Sequence, residues 1–189
     1  MNVIEGVQMK EAAGVLQFWF EQTEPKQWFL KDLTFDALIE ERFAHLVVRA
    51  LDGELMSWSQ DADACLALIL LLDQFPRHIY RASAQAFAGD AQALELSQMA
   101  VKQGWVSESP NMNHRKFYLM PMMHSEELAV QRASLPLFSA HTDENTMRFA
   151  RRHAEIIERF GRFPHRNQAL GRISTQEEKA FLDQPGSSF

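Results

Sequence analysis

The chain of 189 residues contains one cysteine, so no intramolecular disulfide can form. That residue, Cys65, opens the apolar run Cys65–Leu72 and reads as a small core side chain rather than a catalytic thiol. No apolar run is long enough to cross a bilayer, and no basic segment precedes an apolar stretch at the N-terminus. Membrane spanning and secretion are therefore not expected, and the cytoplasm is the expected location. There is no excess of positive charge either: the net charge of −6 argues against nucleic acid as a partner. Glycine and proline are sparse, eight and seven residues, which leaves room for long helices and none for low complexity. The length suits one core rather than two, so a single domain over residues 1–189 is expected, with a frayed tail over 184–189.

No stretch alternates apolar and polar residues as a half-buried strand does, whereas helical spacing is widespread. A first helix over 10–22 places Val15, Phe18, Trp19 and Gln22 on one face and ends before Pro25. A second, capped by Asp32 or Thr34, repeats Phe35, Leu38, Ile39, Phe43, Leu46, Val47 and Ala50 at helical intervals, and Gly53 closes it. Asp61 caps a third that is apolar nearly all round, belongs at the centre of the fold and stops near Pro76. Residues 83–103 read as a helix with Ala86, Phe87, Ala91, Leu94, Ala100 and Val101 inward. A helix from 113 to 138 is broken or kinked at Pro121, another spans 143–162, and Ser174–Glu177 reads as a capping box for a last one. The expected fold is all-α, with helical hairpins in antiparallel array.

Against this ordinary background one segment stands out. Between Arg148 and Arg172 the acidic chain holds seven arginines, no lysine and only two glutamates, Glu155 and Glu158. Its centre, Arg159–Arg172, echoes Leu71–Arg81: each carries a Phe-Pro followed by basic side chains. Asp73 falls in the apolar helix and, being buried, needs a cationic or hydrogen-bonded partner. Arg77 is one turn away, but Pro76 intervenes, so an arginine of 159–172 is the sharper candidate. His124 and His153 lie on apolar faces, the first in line with Phe117, Met120, Leu128 and Leu135, the second with Phe149, Ile156, Ile157 and Phe160.

Together these side chains outline a polar pocket for an anion, since guanidinium forks grip carboxylate or phosphate. His165 and Asn167 could add donors, and the helix opened by Ser174 could aim its amides at the same place. If the site is catalytic, Asp73 or a histidine is the general acid or base and the arginines stabilise developing negative charge. A metal held by His124, Asp73 and Glu127 is disfavoured by the surrounding arginines, and no cofactor is expected. No Gly-rich phosphate loop, Gly-x-Ser-x-Gly elbow or zinc-peptidase motif fixes a reaction class.

Five segments carry a family resemblance: Val15–Phe20, Trp28–Asp32 with Phe35–Asp36, Leu71–Arg77, Phe117–Glu126, and Phe160–Asn167 followed by Leu170–Arg172 and Ser174. In this order they resemble the bacterial domain-of-unknown-function family 924. The resemblance implies an all-helical, tetratricopeptide-like fold and brings no activity or substrate. The family's motif positions fall on Trp28, Asp73, Gln74, Arg77, Arg115, His124, Ser125, Glu126, Arg162, His165, Arg166 and Asn167. His78 departs from it, since asparagine is usual there. The site so defined is Asp73, Arg77, His124, Glu126, Arg162, His165, Arg166 and Asn167, with an anionic small molecule as ligand. Two other readings stand beside it. One is a peptide-interaction module whose groove exposes Trp28 or Trp58 and whose arginines take an acidic peptide. The other is a salt-bridge lock between helices. The abundance of aromatics is also compatible with a homodimer.

Overall fold

The computed structural model describes residues 3–187, with side chains from Gly6 onward. Among the described residues the secondary structure is helical throughout, with no strand. Helix α1 (Val3–Gln17) runs into a π turn, Phe18–Gln22, and ends before Pro25 as the spacing predicts. Val15, Phe18 and Trp19 are buried, but Gln22 is exposed because the wider π turn rotates it off the apolar face. Helix α2 (Leu33–Leu51) starts where Asp32 Oδ1 accepts the amides of Thr34 and Phe35, at 2.9 and 3.3 Å. Its apolar stripe is buried except for Leu38, at the edge. Asp61 likewise caps α3 (Ala62–Ile69), whose residues from Ala64 onward are all buried at the centre of the fold.

Pro76 does not stop this helix. The chain passes through a π turn, Leu70–Gln74, into α4 (Phe75–Ile79). A proline in a regular helix lacks the amide for the carbonyl four residues back and its ring strikes that carbonyl. Here the Phe75 amide bonds back to the Leu70 carbonyl, which opens the turn at the point where the ring must fit. The Leu72 carbonyl, deprived of its donor, lies against the backbone of Gly89.

The expected helix over 83–103 begins instead as a 3₁₀ turn, Ala84–Phe87, and resumes as α5 (Asp90–Lys102). The tighter turn and the break at Gly89 reset the helical phase, so Ala93, Leu96, Ser97 and Ala100 face inward and Ala91 does not. After the short α6 (Trp105–Glu108), α7 (Met112–His124) passes through Pro121 without a break. Burial of Phe117, Tyr118, Leu119, Met122 and Met123 outweighs the one helical bond that the proline forfeits. The interruption comes at 125–127, where buried Gln131 of α8 (Leu128–His141) donates to the Met123 and Ser125 carbonyls at 2.6 and 2.8 Å. Helix α9 (Glu144–Phe160) is capped by Asp143 and ended by Gly161 in the left-handed conformation, φ 68°. The last helix, α10 (Gln176–Leu182), opens on a capping box of Thr175 and Glu178, one residue later than expected.

Helix α1 packs on α3, α2 on α4, and α5 on α3 and α7, while α7, α8 and α9 are successive neighbours joined by short links. The large core gathers Trp19, Phe18, Phe43, Phe75 and Phe117; a smaller one, Ile156, Ile157, Phe163 and Phe181, fastens α10 to α9. In the expected tail, Ser187 is buried and donates to the Leu182 carbonyl at 2.9 Å; Ser188 and Phe189 lie outside the described residues. Trp28 and Trp58, expected at the surface of a peptide groove, are both buried, Trp28 donating its Nε1 hydrogen to the Trp19 carbonyl and to Thr23. No helix among the described residues is long and apolar enough to cross a membrane.

Candidate functional site

Because α4 continues past Pro76, Arg77 remains one helical turn from Asp73 and reaches it. Its Nη1 lies 3.3 Å from Asp73 Oδ1 and also bonds the Asp73 carbonyl. His124, at the end of α7, completes the group, with Nδ1 2.7 Å from the same carboxylate oxygen, and Gln74 Nε2 bonds the other. The expectation that an arginine of 159–172 would neutralise Asp73 is thus corrected: the π turn delivers Arg77 instead. Burial pushes the Asp73 pKa up, but Arg77 and then His124 overcome it and hold the carboxyl well below the usual range. With Asp73 ionised, the proton of His124 resides on Nδ1 and the lone pair on Nε2. Burial lowers the His124 pKa further than Asp73 raises it, so the imidazole is neutral at neutral pH.

Arg166 enters from the loop after α9. Its Nη2 donates to the His124 carbonyl at 2.9 Å, satisfying the C-terminus of α7, and its Nη1 lies 3.0 Å from Asp90 Oδ2. Asp90, the first residue of α5, is held at the same time by both nitrogens of Arg77, at 2.9 and 3.0 Å. One carboxylate therefore serves two guanidinium groups. Burial and the nearby Arg77 push the Arg166 pKa down to about 10. Its Cζ lies over the rings of Phe87 and Phe163, 4.7 Å from each centroid, and its buried Nε has no hydrogen-bond partner among the described residues.

These groups form part of the wall of a cavity of about 740 Å³. Arg77, Arg166, His124 and His165 line one part, and Arg81, Lys31 and Lys116 bring further cations. No Asp or Glu is among the described residues that line it. The carboxylates sit behind the wall: Asp73 and Asp90 as above, and Asp36, which accepts two bonds from Arg81, at 2.7 and 2.8 Å, and lies 2.8 Å from His78 Nδ1. His78 therefore helps hold Asp36 beside Arg81. Burial first, then neighbouring His124 and Arg166 respectively, push His153 and His165 down to about 3, so both imidazoles are neutral.

The structure brings Asp73, Arg77, His124, His165 and Arg166 together and sets Glu126, Arg162 and Asn167 apart from the cavity wall. Glu126 accepts from Arg172 at 2.7 and 2.9 Å and from the Phe163 amide at 2.7 Å. Arg162 pairs with Glu178 at 2.6 and 2.9 Å, and Asn167 bridges Arg172 and Ser174. All three shape the loop that carries His165 and Arg166. The start of α10 does not face the cavity as a ligand site, because Thr175 and Glu178 already cap it. Glu127 does not share a helical face with His124, since α7 ends between them. Phe149, expected inward, is 40% exposed at the cavity, and Arg115 holds the Ser109 carbonyl rather than the site. Among the described residues no group of three His, Cys, Asp or Glu side chains could hold a metal ion.

Asp90 and Lys116 are the important residues that sequence reasoning missed. Lys116 shares one face of α7 with Met120, Met123 and His124, a helical spacing visible in the sequence, and its Nζ lies 5.3 Å from the Trp28 ring. Asp90 carried only the weak signal of an acid after a glycine.

The fold and site define a helical protein with a buried carboxylate–imidazole–guanidinium network beside a cation-lined cavity. The chain belongs to the family described as bacterial protein of unknown function (DUF924), which it matches over residues 15–186. It is similar to a protein of unknown function from Agrobacterium tumefaciens whose structure is solved, with 36% identity, a TM-score of 0.87, and coverage of 93% of this chain and 98% of that one. No curated protein matches.

Proposed function

We propose that the cavity binds an anionic small molecule carrying a phosphate or carboxylate. The observation that supports this reading best is Arg166: a buried guanidinium sharing its carboxylate with Arg77, its pKa driven down, at the wall of a cavity lined by five lysines and arginines and by no acid. An oxygen anion in the cavity would relieve the repulsion between the two guanidinium groups. Asp73, fully buried, and Asp90, partly exposed but not among the lining residues, fix the arginines in place. If the bound molecule reacts, His124 is the residue for proton transfer, with Asp73 orienting it through Nδ1 and Arg77 and Arg166 stabilising negative charge.

The tetratricopeptide-like, peptide-binding alternative has less support, since the tryptophans it would use are in the core.

Thermal-shift titration with organic phosphates and carboxylates tests the reading. A ligand at a hundred times its Kd adds about 2.7 kcal/mol and raises Tm by roughly 5–10 °C in a chain of this size. Arg166→Gln should abolish the shift while Arg166→Lys keeps part of it. Equal shifts in the wild type and in Arg166→Gln would refute the assignment.

A further inference from the structure

We infer that the anion bound in this cavity is amphipathic, an organic phosphate or carboxylate with an apolar body at least the size of a ring system, and not a small polar metabolite. The inference rests on the anion-binding reading above and adds the chemistry of the other end of the ligand. Three observations carry it.

The first is size. The cavity of about 740 Å³ lies in the range that holds a drug-sized molecule. An inorganic anion seated on Arg77 and Arg166 would leave most of that space to water.

The second is the chemistry of the remaining wall. Beside the cations and the polar Gln74, Asn145 and Thr146, the lining includes the apolar side chains Trp28, Met120 and Met123, and no carboxylate is among the described residues that line it. Methionine thioethers and ring faces accommodate apolar bodies of varied shape.

The third is the rim. Phe29 is 61% exposed, Leu30 55% and Phe149 40%, and all three line this cavity. Other large exposed apolar side chains, such as Val7, Val48 and Ile173, are scattered over other parts of the chain. Apolar surface gathered at the edge of a cavity, contributed both by the 3₁₀ turn Gln27–Phe29 and by α9, marks a place where apolar surface is covered on binding. Lys116 and Lys31 flank Phe29, the former with Nζ 5.7 Å from its ring, so the rim also keeps a positive field that draws an anion inward.

The ligand's acid group thus lies against Arg77, Arg166 and His124, and its apolar body extends along Met120 and Met123 towards Phe29 and Phe149.

Calorimetric titration of the full chain with inorganic phosphate, glycerol 2-phosphate and 1-naphthyl phosphate tests this. Covering a ring system of apolar surface should make 1-naphthyl phosphate bind about tenfold or more tighter than glycerol 2-phosphate. Phe29→Ser, at an exposed position that leaves the fold intact, should remove most of that advantage and leave the affinity for glycerol 2-phosphate unchanged. Arg166→Gln should weaken all three. Equal affinity for glycerol 2-phosphate and 1-naphthyl phosphate would overturn the amphipathic class while leaving the anion site standing. Tight 1-naphthyl phosphate binding that survives both substitutions would place it elsewhere on the surface and overturn the inference. Binding of none of the three would overturn the anion reading and this inference with it.

Discussion

Burial decides how individual residues titrate here. His153 and His165 are held at about 3, whereas an imidazole in the unfolded chain titrates near pH 6.5. Between roughly pH 6.5 and pH 3 the unfolded state therefore binds protons that the folded state refuses. A depressed histidine contributes fully above the unfolded value, and its contribution is lost as pH falls through that window. Each such imidazole adds a slope of about 1.4 kcal/mol per pH unit. Asp73, also depressed, acts in the same direction but only below its unfolded value of about 4. Denaturant unfolding followed from about pH 7 to pH 4 should show stability falling steadily with acid. In His165→Gln the slope across that range should drop by about 1 kcal/mol per pH unit. An unchanged slope would mean that His165 titrates normally and is hydrated in the folded protein.

At the level of elements, the passage of α3 into α4 determines whether the site exists. Asp73 and Arg77 meet only because the helix survives Pro76, and it survives because the π turn Leu70–Gln74 makes room for the ring. The displaced Leu72 carbonyl then needs a neighbour without a side chain: a Cβ on Gly89 would lie 2.3 Å from that oxygen. Gly89 has φ −91°, an ordinary value, so the requirement is space and not backbone freedom. Gly89→Ala should cost about 3 kcal/mol, the upper end for overpacking, because both clashing partners are backbone. Chemical denaturation would read this as a lower midpoint; a variant as stable as the wild type would show that the two segments separate freely. The helices themselves were legible from apolar spacing and caps, Asp32 and Asp61 above all. The continuation past Pro76 was not, because a proline's local preference is to end a helix and the π turn that accommodates it leaves no mark in the spacing of an all-apolar run. The break after His124 was equally hidden, since Gln131, which satisfies the freed carbonyls, belongs to the next helix.

Across the whole molecule, two halves must be held in register for the cavity to have its walls. Asp73, Arg77 and Asp90 belong to the first half, His124 to α7, and His165 and Arg166 to a loop between α9 and α10. The sequence marked that loop by its density of arginine, and a buried acid among leucines marked Asp73. It could not sort which arginine faces the cavity. Arg162 and Arg166 have the same residue type and similar surroundings in the chain, and only the packing of α10 turns the first to Glu178 while Phe87 and Phe163 receive the second. The loop is fastened to the link after α7 by Glu126, which binds Arg172 through both oxygens and also takes the Phe163 amide. Removing that carboxylate takes the ion pair from a partly buried guanidinium, which keeps only Asn167 Oδ1 and the Phe163 carbonyl, and leaves the Phe163 amide without its acceptor, a local loss of about 2 kcal/mol. Glu126→Ala should therefore speed hydrogen exchange of the amides over 161–175 by about thirtyfold. Exchange in α3 and α5 should stay as in the wild type, and the ligand-induced thermal shift should shrink because Arg166 is no longer held against His124. Acceleration spread evenly over every helix would instead show that Glu126 supports global stability and that the loop is not separately latched.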